Sequence, residues 1–132
     1  MVDKFILRWS VYLDLLYTLI DKVKGSEKKY EFVWGPPRGG MIPAVVFSHC
    51  LDLKLLIAVP PLIEPLGERD RYKKSLLIVD DCVDTGTTLN SVRDFDIATI
   101  FKKPWSPFTP KYWVKETSKW IVFPYEEPDL SL

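Results

Sequence analysis

The chain carries no net charge: its 132 residues include eighteen lysines and arginines against eighteen aspartates and glutamates. No global field therefore draws it to nucleic acid or to an anionic membrane, and neither partner is expected. Cysteine is scarce, with only Cys50 and Cys82 present. Two thiols make no disulfide framework, so a reducing, cytoplasmic setting is the simplest expectation. No apolar run approaches the roughly 20 residues that a membrane-spanning helix requires, and the first residues do not read as a signal peptide. The single histidine, His49, falls late in an expected helix and reads as structural. The two common phosphate-binding patterns, G-x-x-x-x-G-K-[ST] and G-x-G-x-x-G, are both missing.

What the chain does have is apolar material for a core, at 47% of its residues. Its length suits one domain spanning 1–132, near the lower end for an α/β fold. The most informative stretch is Ser75 to Leu89, SLLIVDDCVDTGTTL. Leu76 to Val79 form a short apolar run of the kind found in a strand covered on both faces of a parallel sheet. Two adjacent acids follow, Asp80 and Asp81, and a third, Asp84, opens the string Asp84-Thr85-Gly86-Thr87-Thr88. Gly86 lets the backbone turn tightly and approach a ligand. A turn of small hydroxyl residues leading into a helix presents N–H and O–H donors suited to a phosphate. The neighbouring acids would repel a bare phosphate. A sugar offering hydroxyl donors, together with a divalent cation, offsets that repulsion. The stretch thus asks for a phosphorylated sugar and a metal.

The remaining elements follow from spacing. Apolar residues from Phe5 to Val23 recur at helical intervals, with Ser10 the expected N-cap and Gly25 the stop, and Trp9 reads as packing. Tyr30 to Trp34 reads as a strand. It runs into Gly35-Pro36-Pro37-Arg38-Gly39-Gly40 and a helix from about Met41 to Leu51. A strand, a glycine-rich loop and a helix aim N–H groups at an anion, and Arg38 adds a fork of donors matched to phosphate oxygens. Further strands are expected at Lys54 to Val59, Ile97 to Phe101 and Tyr112 to Val114. A loop from Pro60 to Lys74 ends in the charge string Glu68 to Lys74. A brief helix is expected over Thr87 to Arg93.

The run of four apolar residues, two acids, two spacers and D-T-G-x-T from Leu76 to Thr88 resembles the ribosyl-diphosphate signature of the type I phosphoribosyltransferases. Two further pieces resemble the 6-oxopurine branch of that family, the xanthine-guanine and hypoxanthine-guanine enzymes. They are A-T-I-F-K-K-P, residues 98 to 104, and W-I-V-F-P-Y-E, residues 120 to 126. The resemblance implies a central, mostly parallel sheet flanked by helices, with a small C-terminal hood over about 103–126 that binds the base. It implies transfer of the phosphoribosyl group of 5-phosphoribosyl 1-diphosphate to guanine, xanthine or hypoxanthine, with Mg²⁺ as cofactor. The implied roles are these. Thr85, Gly86, Thr87 and Thr88 hold the 5'-phosphate. Asp80 and Asp81 take the ribose hydroxyls, directly or through the metal. Arg38 and Gly39 neutralise the diphosphate, with a cis bond implied between Pro37 and Arg38. Asp84 acts at the purine's N7. Lys103 reaches the 6-oxygen, Trp120 stacks on the base, and Ile121 lends backbone groups to its edge. Arg69 and Arg71 become lid contacts, although the lid is shorter than in the bacterial xanthine-guanine enzymes. Relatives are dimers or tetramers, so self-association is implied.

Two rival readings remain at this point. One is a phosphoribosyltransferase for adenine, uracil or orotate, against which Lys103 and Trp120 argue. The other is a non-catalytic nucleotide- or RNA-binding regulator on the same fold, against which the intact acids Asp80, Asp81 and Asp84 argue.

Overall fold

A computed structural model of the chain describes residues 3–57 and 68–126. The protein is an α/β fold built on a five-stranded sheet. Its strands are β2 (Phe32–Trp34), β3 (Lys54–Leu56), β4 (Leu76–Val83), β5 (Asp96–Lys102) and β6 (Tyr112–Glu116). They lie in the order β3-β2-β4-β5-β6, and every pairing is parallel. A separate two-stranded parallel sheet joins β1 (Lys4–Ile6) to β7 (Trp120–Val122).

The middle strand carries the sheet. Leu76, Leu77, Ile78 and Val79 are all 0% exposed, because alternate side chains of one strand enter two different cores. Leu77 and Val79 pack with α1 (Trp9–Gly25) and α2 (Met41–Cys50), which cover one face. Leu76 and Ile78 pack with Trp34, Leu89, Val92 and Phe95 on the other. Each such side chain contributes about 1.5–3 kcal/mol relative to exposure. Helix α1 buries Tyr12, Leu16, Leu19, Ile20 and Val23, the stripe that its sequence period requires. Helix α2 starts directly after the glycine-rich loop and carries Pro43 in its first turn, where no N–H partner is lost.

Several expected boundaries shift. Phe5 lies in strand β1, opposite Ile121, and not in the first helix. That helix begins at Trp9 with Arg8 as its N-cap, so Ser10 is already inside it. The helix does end at Gly25, where the stop was expected. Ser26 is the C-cap, and Glu27 takes the left-handed conformation at φ 64°. Strand β4 continues through both acids to Val83, because Asp80, Cys82 and Val83 remain in register with Thr99, Phe101 and Lys102. The brief helix expected over Thr87 to Arg93 is a single 3-10 turn at Asn90–Val92. Ala58, Val59 and most of the expected lid lie outside the described residues. Its last part forms α3 (Glu68–Lys73). Among the described residues, no helix is long and apolar enough to cross a membrane.

Candidate active site

Parallel strands end together, and their C-terminal edges are where loops gather side chains. Here β4 delivers Asp80 and Asp81 to that edge, and the following turn carries Asp84 to Thr88. Asp80 is 7% exposed and accepts a hydrogen bond from the Asp81 backbone N–H at 2.8 Å. Burial, and then the negative charge of Asp81, hold the Asp80 carboxyl well above the ordinary range. Two buried side-chain oxygens are without a partner among the described residues, and both lie by these acids. Thr99 Oγ1 belongs to the residue in register with Asp80, and Tyr12 OH sits in the field of Asp81 and Asp80.

The turn after β4 is shaped for close approach. Gly86 has φ 80°, and a side chain there would meet Pro107 Cγ at 2.6 Å, so glycine is required by both conformation and space. Thr85 and Thr87 hydroxyls share a hydrogen bond at 2.8 Å. Residues Cys82 to Leu89 line a small notch of about 80 Å³.

A larger cleft of about 530 Å³ opens beside it, lined by Arg38, Gly39, Ile42, Asp81, Tyr125 and Glu126. The Pro37–Arg38 peptide bond is cis, as the resemblance implies, and Arg38 is exposed to solvent. Gly39 approaches Asp81 so closely that a Cβ would sit 2.1 Å from Oδ2. The Tyr125 hydroxyl donates to that same oxygen. Burial and the Asp81 charge raise the Tyr125 pKa, so the phenol stays a donor. Half-buried Cys82 is pushed up to about 12 by desolvation and by Asp81, which leaves no thiolate for nucleophilic work at neutral pH.

At the other end of the site, Lys103 is 3% exposed and donates its ammonium to the Lys119 carbonyl beneath β7. Lys102 points elsewhere, to Glu116 at 2.6 Å and over the Trp113 ring. Trp105 donates its indole N–H to Asp84 Oδ1 at 2.5 Å, and Lys103 lies 5.6 Å from its ring centroid. Trp120 is largely exposed, and Ile121, the next residue of β7, is buried. An apolar hollow of about 140 Å³, lined by Phe5, Phe101, Lys115, Thr117 and Lys119, opens below β7.

The structure thus brings Asp80, Asp81, Asp84, the 85–88 turn, Arg38 and Gly39 to one edge, with Lys103 and Trp120 toward the small sheet. Arg69 is held away from this cluster. Its guanidinium pairs with Asp94 and lies 4.7 Å over the Phe95 ring. The Arg71 side chain lies outside the described residues. Sequence reasoning missed Trp105, Tyr125 and Tyr12. Tyr125 stands inside the W-I-V-F-P-Y-E run and Trp105 directly follows K-K-P, so both were within reach of motifs already singled out. Among the described residues, no group of three or more His, Cys, Asp or Glu is placed to hold a metal. The hard oxygen donors Asp80 and Asp81 are the carboxylates at hand.

No protein-family profile matches the chain. A xanthine-guanine phosphoribosyltransferase of Cereibacter sphaeroides is 32% identical over 113 residues, covering 71% of this chain and 68% of that one. One from Nitratidesulfovibrio vulgaris is 30% identical over 113 residues, covering 74% and 69%. Among solved structures, a purine phosphoribosyltransferase from Pyrococcus horikoshii Ot3 is 33% identical and matches 97% of both chains at a TM-score of 0.75.

Proposed function

Since the chain belongs to the xanthine-guanine phosphoribosyltransferase family, we propose that it transfers the 5-phosphoribosyl group from 5-phosphoribosyl 1-diphosphate to a 6-oxopurine. The products are a nucleoside 5'-monophosphate and diphosphate, in purine salvage in the cytoplasm. One observation supports this reading: the end of β4 carries both Asp81, which meets the Arg38-Gly39 loop in the larger cleft, and, directly after it, the glycine turn that lines the notch.

The 5'-phosphate rests in the notch of Thr85 to Thr88, where amides and hydroxyls donate to it. Asp80 and Asp81 take the ribose hydroxyls, and the unmet hydroxyl of Tyr12 lies in their field. As the C1–O bond breaks, the ribose becomes cationic and these carboxylates stabilise it. Arg38 and the Gly39 amide face the departing diphosphate, which leaves with the bonding electron pair. The base N9 closes on C1, and Asp84 receives the proton that the purine's imidazole ring gives up at N7. Lys103, a donor only, favours a 6-oxo acceptor over an amino group. Trp120 stacks on the base and Ile121 presents its backbone to the base edge. The whole chain serves as one unit, with residues 103–126 as the base-binding hood.

Asp80 and Asp81 would hold a Mg²⁺ ion. This fits its preference for one or two carboxylates completed by substrate oxygens and water, and the ion supplies charge neutralisation for the diphosphate. Self-association into a dimer or tetramer is part of the reading, and exposed Met41 and Val45 on α2 are apolar surface that a second copy could cover.

The deciding experiment supplies purified protein with Mg²⁺, the diphosphate sugar and each free base in turn. Nucleotide formation with guanine, xanthine or hypoxanthine, and little with adenine, is expected. Turnover with none of the bases refutes the reading.

A further inference from the structure

The last described turn of the chain reaches the cleft that Arg38, Gly39 and Asp81 line. Residues 123–126 form a closed turn. The Glu126 N–H donates to the Phe123 carbonyl at 3.0 Å, and the Phe123 N–H donates to Glu126 Oε1 at 3.0 Å. The Tyr125 ring is locked on three sides. It stacks on Phe123 at 5.6 Å and 11°, meets Tyr12 edge-on at 5.9 Å, and touches Trp9 at 6.2 Å. Its hydroxyl is thereby aimed, and its acceptor is Asp81 Oδ2.

Asp81 follows the buried Asp80 near the end of β4. Gly39 leaves only a narrow seat for Oδ2, with Tyr125 OH 3.1 Å from where a Cβ would stand. Three separate elements therefore converge on one carboxylate oxygen: the tip of β4, the glycine-rich loop and the C-terminal turn.

We infer that Tyr125 is a positioning residue for the diphosphate-sugar site, its hydroxyl fixing the Asp81 carboxylate for the ribose and the metal. The inference deepens the proposed function and rests on it. Its chemistry is pre-organisation: a donor held by aromatic packing leaves the acid in place before the ligand arrives.

The test is calorimetric titration of the intact protein with 5-phosphoribosyl 1-diphosphate and Mg²⁺, in the absence of any base. Tyr125→Phe keeps the ring stack and removes only the donor. An affinity about tenfold below wild type is expected, with an unchanged KM for the base and a similar fall in kcat. Asp81→Ala, which removes the acceptor, supplies the second arm: in that background Tyr125→Phe should have no further effect on binding, since the two changes remove one contact. A purely structural tyrosine would instead give additive losses. Tyr125→Phe binding as tightly as wild type overturns the inference, and so does additivity with Asp81→Ala. If wild-type protein itself fails to bind the sugar, the proposed function falls and takes this inference with it.

Discussion

Gly39→Ala isolates the convergence at Asp81 with a single methyl group. Gly39 is not among the residues with positive φ, so alanine can adopt its backbone conformation. The conflict is local. The new Cβ would lie 2.1 Å from Asp81 Oδ2, where ordinary contact begins at 3.4 Å, so the carboxylate must retreat by about 1.3 Å. That movement breaks the bond from Tyr125, a loss of about 1.5–3 kcal/mol for a hydrogen bond to a charged group. Restricting the unfolded chain returns about 0.4–1 kcal/mol. A net destabilisation of roughly 1–2 kcal/mol lowers the melting temperature by about 3–8 °C for a domain of this size. Because the atom that yields is the end of a side chain, the protein folds. Its acid, however, no longer sits where the sugar needs it. Scanning calorimetry should therefore show a cooperative transition, and titration with the diphosphate sugar and Mg²⁺ should show binding at least tenfold weaker, about 1.4 kcal/mol. Gly35→Ala is the contrast: its Cβ would strike the Gly40 carbonyl oxygen at 1.8 Å, backbone on backbone, and should abolish folding. Wild-type sugar affinity in Gly39→Ala would refute the placement of Asp81 at the binding surface.

Asp84→Asn should cut kcat by about one hundredfold or more while changing diphosphate-sugar affinity little; an unaltered kcat removes its role as proton acceptor. Lys103→Ala should erode the preference for guanine over adenine, measured as the ratio of kcat/KM values. Lys102→Ala, whose ammonium is engaged by Glu116, should leave that ratio alone, and the reverse result would put the base on the wrong lysine. Asp80→Asn should raise the melting temperature at neutral pH. The folded state holds this carboxyl well above the ordinary value near 3.8, so its ionisation opposes folding once the pH exceeds that value. The advantage of asparagine should vanish as the pH falls below about 3.8, where both states carry the protonated acid. Melting curves for the two proteins that differ by the same amount at about pH 3 and about pH 7 would contradict it.

The sequence was most readable where local chemistry and tertiary packing agree. Leu76 to Val79 could be read as a doubly covered strand because nothing polar interrupts them, and the glycine-rich loop marked the start of α2. The readings failed where the decisive partner is remote. Lys4 to Ile6 carry a helix-compatible pattern, yet β7, near the other end of the chain, gives them a ladder, and Trp9 becomes the first helical residue. The acids at Asp80 and Asp81 look like the end of a strand because charge is rare inside one. Backbone pairing with β5 is indifferent to side-chain charge, and the strand runs on to Val83. Tyr125 and Trp105 were visible as letters but not as neighbours of Asp81 and Asp84. Nothing in linear order brings a terminal turn or a post-strand loop to the tip of the middle strand.

The indole of Trp105 has a kinetic consequence for the proposed reaction. With its N–H on Asp84, Trp105 already satisfies the carboxylate proposed to act on the base, using a fused bicyclic ring of its own. Every incoming base faces this same internal competitor, so apparent affinities for guanine, hypoxanthine and adenine all drop by one shared factor and their ranking is untouched. In the proposed reaction, discrimination would be left to Lys103, while Trp105 would set only the concentration at which the site begins to work.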